Sequence, residues 1–218
     1  MKRYLSSEGV GEGNVEYFAN RLQLLISSGE LKPQAMPDLP LSHMGAIITD
    51  AIFQGGMRYT TVEDWRSWVR SRQEARTTSG FLRLLNEKPQ AFYGGRRNQK
   101  TAWGRKANLV AKVARLLAKC NVESEEALKT WLQNEANRGE LNRIRGVGKK
   151  TVDYLRILSG DKNAVAIDSR IRSFIKETMG RQFGYEQARE LVMQTAERVR
   201  VPPAHLDYGI WSYMKARE

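Results

Sequence analysis

The sequence predicts an all-α protein, and three observations carry that prediction. Apolar residues recur with a helix-like period through most of the chain. Pro33, Pro37 and Pro40 stand between periodic stretches. Strand character is confined to one short apolar run, 164–167, which is too short to build a sheet. No internal repeat of fixed period competes with this reading.

The elements follow in order. Residues 15–28 place Tyr17, Phe18, Leu22, Leu24, Leu25 and Ile26 at helical spacing, and 29–40 form a proline-punctuated connector. The strongly apolar stretch 41–53 is long enough to favour a buried helix over a strand. Residues 60–75 put Val62, Trp65, Trp68 and Val69 on one stripe. Leu109, Val110, Val113, Leu116 and Leu117 follow the pattern of an amphipathic helix. Ser124 is placed to cap the next helix, with Glu125 and Glu126 in its first turn, where the helix dipole favours acids. Leu141 and Ile144 end a short helix, and Val152 and Leu155 face inward from another. A last clear pattern runs over 169–179, with Asp168 where an N-cap belongs.

Length and composition bound the function. A chain of 218 residues can bury a real core. We expect two helical lobes, one of residues 41–162 and one formed by 1–40 with 163–218. Lys and Arg exceed Asp and Glu by 12, an imbalance that speaks of polyanionic partners rather than of fold. Between Arg96 and Lys119 lie eight basic residues and no acid. A loop over 94–104 with Phe92, Tyr93 and Trp103 at its edges carries Arg96, Arg97 and Lys100, and Arg105 and Lys106 follow it. Basic residues among aromatics suit phosphate binding with base stacking, although core aromatics under a solvated basic helix face give the same pattern. Cys120 is the only cysteine, which excludes an intrachain disulfide and a cysteine-ligated zinc or iron–sulfur site, and we expect it to be buried packing. With two histidines and one cysteine, neither a metal nor another cofactor is expected. The N-terminal residues lack the apolar core of a signal peptide, and no apolar run spans a bilayer. The expected setting is therefore intracellular (cytoplasm or nucleoid in a prokaryote), with no membrane partner and the protein acting as a monomer.

The most informative stretch is the hairpin. Gly146 and Gly148 let the backbone turn sharply and approach a ligand, and Val147 between them can plug into the core. The N–H groups of the helix that opens next, together with the glycine backbone, make a phosphate seat. The spacing is not that of a P-loop, and no buried strand precedes it. Arg145, Lys149 and Thr151 flank this seat. Lys150 follows it, and Asp168, 18 positions further on, comes directly after the apolar run 164–167.

In these residues the chain resembles the helix-hairpin-helix (HhH-GPD) DNA glycosylase superfamily, the group of endonuclease III and the 8-oxoguanine DNA glycosylases. The resemblance covers roughly residues 41 to 215. It implies two helical lobes around a DNA cleft, double-stranded DNA with damaged bases or abasic sites as partner, Lys150 as Schiff-base nucleophile and Asp168 as catalytic aspartate. It implies base release followed by β-elimination, and phosphate contacts from Arg145 through Thr151 and from the basic loop. Gln54 matches the position of a residue that fills the space left by an extruded nucleotide. Tyr59, Trp103 and Trp211 are further candidates for the lesion pocket or wedge. The chain departs from the pattern with Arg145 where the family often has Pro, Arg170 where it often has His, and no iron–sulfur cysteines. Two other readings stay open: a non-catalytic DNA clamp, and an abasic-site lyase without glycosylase action.

Overall fold

The structure is a computed structural model that describes residues 10–37, 39, 41–55, 59–87 and 102–218, without the side chains of 59–64, 102 and 103. Arg96, Arg97 and Lys100 lie outside the described residues, as do the side chains of Tyr59 and Trp103. The fold is all-α: eleven α-helices and one 3-10 turn, with no strand among the described residues. By their internal contacts the helices group into two compact units, Asp38–Asp161 and Met1–Pro37 with Lys162–Glu218.

The first helix, α1 (Glu12–Ser27), belongs to the terminal unit. The helices α2 (Met44–Phe53), α3 (Tyr59–Arg70), α4 (Thr78–Glu87), α5 (Ala102–Lys119), α6 (Glu125–Gln133), α7 (Glu135–Arg143) and α8 (Lys149–Leu158) form the central unit. Every residue of α2 is buried, because apart from Thr49 and Asp50 it carries no polar side chain and packs against α3, α4, α5 and α8. Its start is fixed by His43, whose Nδ1 accepts the Ala46 N–H at 3.2 Å while Nε2 lies 3.1 Å from the Arg72 carbonyl oxygen. Burial is the main influence lowering the affinity of His43 for a second proton, which suits a ring that must keep Nδ1 as an acceptor.

The helix expected over 60–75 ends at Arg70. Arg72 is extended, and a 3-10 turn, Gln73–Arg76, follows. The bond between Arg72 and His43, residues far apart in sequence, holds that break, and periodicity alone does not register it. Helix α4 was not foreseen; it buries Phe81, Leu84 and Leu85. Ser124 caps α6 by accepting the Ala127 N–H, with both glutamates in the first turn. Cys120 corrects an expectation. It is exposed, because α5 ends just before it and Asn121 turns the chain with φ 56°.

The terminal unit adds α9 (Ser169–Met179), α10 (Tyr185–Arg198) and α11 (Pro203–Lys215) to α1. Phe174 is central to its core, with its ring edge-on to Phe18 and Tyr213, both at 5.8 Å. Residues 164–167, β-like in sequence, form a fully buried segment outside any helix or strand. Its backbone is held by Asp207, only 7 % exposed, whose Oδ2 accepts the Ala166 N–H at 2.7 Å. Among the described residues no helix is long and apolar enough to cross a membrane.

Candidate functional site

Helix α7 ends at Ile144, which leaves helical geometry with ψ 110°. A tight turn follows, closed by the Val147 N–H donating to the Ile144 carbonyl at 2.8 Å. Val147 is 4 % exposed and anchors the turn in the core, while Arg145, Gly146, Gly148 and Lys149 are exposed. The two glycines are not equivalent. Gly146 has φ 104°, and a Cβ there would sit 3.1 Å from Leu109 Cδ2. Gly148 is extended at φ −101°, with nothing within 4 Å of an added Cβ, and serves as N-cap of α8 without a side-chain cap bond. Gly146→Ala is therefore expected to lower stability by on the order of 1–3 kcal/mol. Gly148→Ser, which supplies a capping hydroxyl, should be neutral or stabilising. Thermal midpoints of the two variants check this; equal losses would mean that φ at Gly146 is not what the turn needs glycine for.

Lys150 is the second residue of α8 and is half-buried, with Nζ 5.5 Å from the Tyr154 ring centroid. The Tyr154 hydroxyl accepts a hydrogen bond from Gln54 Nε2 at 3.3 Å, and that same amide nitrogen donates to Asp50 Oδ1 at 3.2 Å. The other oxygen of Asp50 accepts from Arg66 at 3.4 Å. Asp50 is 1 % exposed. Burial pushes its carboxyl up from the ordinary range, and Arg66, the Gln54 bond and Lys150 pull it back. Gln54, which the resemblance marks for the space of an extruded nucleotide, is C-cap of α2 and half-buried in this network. Sequence reasoning passed over Asp50, although an acid within the apolar run 41–53 was a readable signal. A buried carboxylate is costly unless it is paired.

The basic residues divide in two. Arg105, Lys112, Arg115 and Lys119 are exposed along α5, opposite a face that buries Ala107, Val110, Val113, Ala114 and Leu117. Lys106 behaves differently. Its Nζ donates to the Ile52 carbonyl at 2.6 Å, at the C-terminal end of α2, where the helix dipole favours a cation. Burial, and after it the charge of Lys150, lower the affinity of Lys106 for its proton. Thr151 is half-buried, and its N–H donates to the Gly148 carbonyl.

Asp168 belongs to the terminal unit and caps α9, its Oδ1 accepting the Ile171 N–H at 2.9 Å. It is half-buried at the end of the segment that Asp207 pins. Arg170 makes two bonds to Glu218, at 2.9 and 2.6 Å, and its guanidinium lies 5.1 Å from the Trp211 ring. Trp211 stacks on Tyr208 at 5.8 Å and carries Lys215 on its ring as well. Among the described residues no three His, Cys, Asp or Glu side chains group as metal ligands.

Fold and site thus define an all-α chain in which a glycine turn presents a half-buried lysine above a buried carboxylate network. The chain belongs to the family described as Domain of unknown function (DUF8548), whose model matches residues 21–215. No curated protein and no solved structure matches it.

Proposed function

We propose that the protein is a base-excision-repair DNA glycosylase with abasic-site lyase activity, acting through Lys150. The observation that carries the reading is the setting of Lys150, half-buried in the first turn of a helix entered through a glycine turn, with Tyr154 beneath its nitrogen. A lysine in that position reaches outward from a backbone suited to phosphate and is partly removed from water, as a Schiff-base lysine needs to be. The separation of 18 residues to Asp168 and the sequence resemblance support the same reading.

In the proposed reaction a damaged nucleotide is extruded, at a cost of a few kcal/mol that is least at a damaged or mispaired base. The neutral Lys150 amine attacks C1′ of its sugar. The bond from C1′ to the base breaks, and the base departs with a proton. The C1′–O4′ bond then breaks as the nitrogen lone pair forms an iminium between Lys150 and C1′, and O4′ takes a proton from water. The iminium acidifies the C2′ proton; its removal expels the 3′ phosphate oxygen and nicks the strand, and water then releases the lysine. The resemblance assigns to Asp168 the stabilisation of the positive charge that develops on the sugar. Such an enzyme works inside the cell, on duplex DNA.

Arg145, Lys149 and the exposed row of α5 are the proposed phosphate contacts. Duplex affinity should then fall steeply between about 50 and 200 mM salt, with a slope set by the number of phosphates neutralised. A flat dependence measured by fluorescence anisotropy would remove them from the interface. The activity is tested by borohydride trapping on a duplex carrying one abasic site, where reduction of the iminium leaves a stable covalent adduct. Salt-sensitive binding with neither an adduct nor base release would make the chain a clamp rather than an enzyme.

A further inference from the structure

The contacts below Lys150 form a continuous line. From the lysine nitrogen it runs to the Tyr154 ring at 5.5 Å, from the Tyr154 hydroxyl to the Gln54 amide at 3.3 Å, from that amide to Asp50 at 3.2 Å, and from Asp50 to Arg66 at 3.4 Å. Its members come from α2 and its C-cap, α3 and α8, so tertiary packing assembles it. Every other residue of α2 is apolar, glycine or threonine, so Asp50 is the one charged side chain on a fully buried helix. A buried ion pair contributes little net stability relative to apolar side chains of similar volume. Stability therefore does not account for Asp50, and the line it begins ends at Lys150.

We infer that Asp50, Gln54 and Tyr154 are positioning residues for Lys150, a relay that seats the lysine nitrogen over the Tyr154 ring and sets the charge it carries before attack. The inference rests on the reading of Lys150 as the nucleophile. A carboxylate nearby and the negative face of an aromatic ring both favour the ammonium. Lys106, tethered to the Ile52 carbonyl, opposes them by like charge. The Tyr154 ring, with Asp50 behind it, thus offers the Lys150 nitrogen a seat suited to a cation. The iminium is again a cation at the same place, so the seat that holds the resting lysine also holds the covalent intermediate. Further charges lie on the packed helices: Asp153, three positions along α8 from Lys150, pairs with Arg156 and Arg156 with Asp161, Glu125 accepts from Ser42, and Glu140 pairs with Arg143. Lys149, next in the chain, is exposed.

The test reads Lys150 without DNA. Reductive methylation of the full chain with formaldehyde and cyanoborohydride, mapped by peptide mass spectrometry across a pH series, gives the midpoint at which Lys150 becomes reactive. Asp50→Asn and Tyr154→Leu are each expected to move that midpoint to lower pH by about 0.5–1 unit. Lys106→Gln should move it upward, and Lys149 should not respond to any of them. Circular dichroism checks each fold, and the near-isosteric Tyr154→Phe, which keeps the ring, should stay closer to wild type than Tyr154→Leu. An unmoved Lys150 midpoint in both Asp50→Asn and Tyr154→Leu overturns the relay. Borohydride trapping of wild type on abasic duplex separates the two ideas. Shifted midpoints without a trapped adduct uphold the relay as a charge-setting device and sink the lyase reading; an adduct with unshifted midpoints does the reverse.

Discussion

Lys150→Ala is expected to abolish the borohydride-trapped adduct and to lower strand nicking at an abasic site by roughly 10³-fold or more, since in the proposed reaction Lys150 makes the covalent bond. The substitution is mild for the fold. Alanine is the best helix former, and Lys150 sits in the first turn of α8, half-exposed. It removes the contact of the side chain with the Tyr154 ring. Duplex binding should weaken by no more than one lost phosphate contact would allow, about tenfold, because Arg145, Lys149 and the exposed row of α5 remain. Activity and affinity therefore separate in this variant. An adduct of unchanged yield in Lys150→Ala would mean that a different amine reacts, and the assignment of the nucleophile would fall.

Asp168→Asn should lower the rate of base release by roughly 10²-fold while leaving the fold and DNA affinity intact. The reason lies in what Asp168 does structurally. Its Oδ1 accepts the Ile171 N–H and starts α9, and an asparagine oxygen performs that task equally well. Charge is lost and the cap is kept. Asp168→Ala loses both, and about 1 kcal/mol of stability with the cap. Single-turnover base release from lesion-bearing duplex, alongside thermal denaturation of the two variants, separates the roles. If Asp168→Asn retains the wild-type rate, Asp168 is a helix cap and nothing more.

Much of this architecture is written locally. The periods over 109–117 and 169–179 are those of α5 and α9, and the buried faces of both follow from the apolar positions alone. Ser124 as cap of α6 and Asp168 as cap of α9 were legible because a cap needs only its own chain within three residues. The glycine turn was legible too, although only Gly146 adopts a backbone conformation that favours glycine. Failures have a common cause. Cys120 was placed inside because its helix is amphipathic, but that helix ends one residue earlier. The apolar period over 60–75 runs past the end of the helix at Arg70, because the break is held by His43, 29 positions from Arg72 in sequence.

The site divides in the same way. Sequence by itself determined the all-α class, the turn, and the positions of Lys150 and Asp168 at the starts of two helices, because helix period, turn geometry and capping are short-range physics. What Lys150 rests on was decided only by tertiary structure. Gln54 and Tyr154 are 100 positions apart, and Asp50 meets them because α2 is the buried helix against which α8 packs. Hydrophobic spacing says which face of a helix turns inward. It does not say which polar group on that face will find a partner, since that depends on the helix that comes to lie against it.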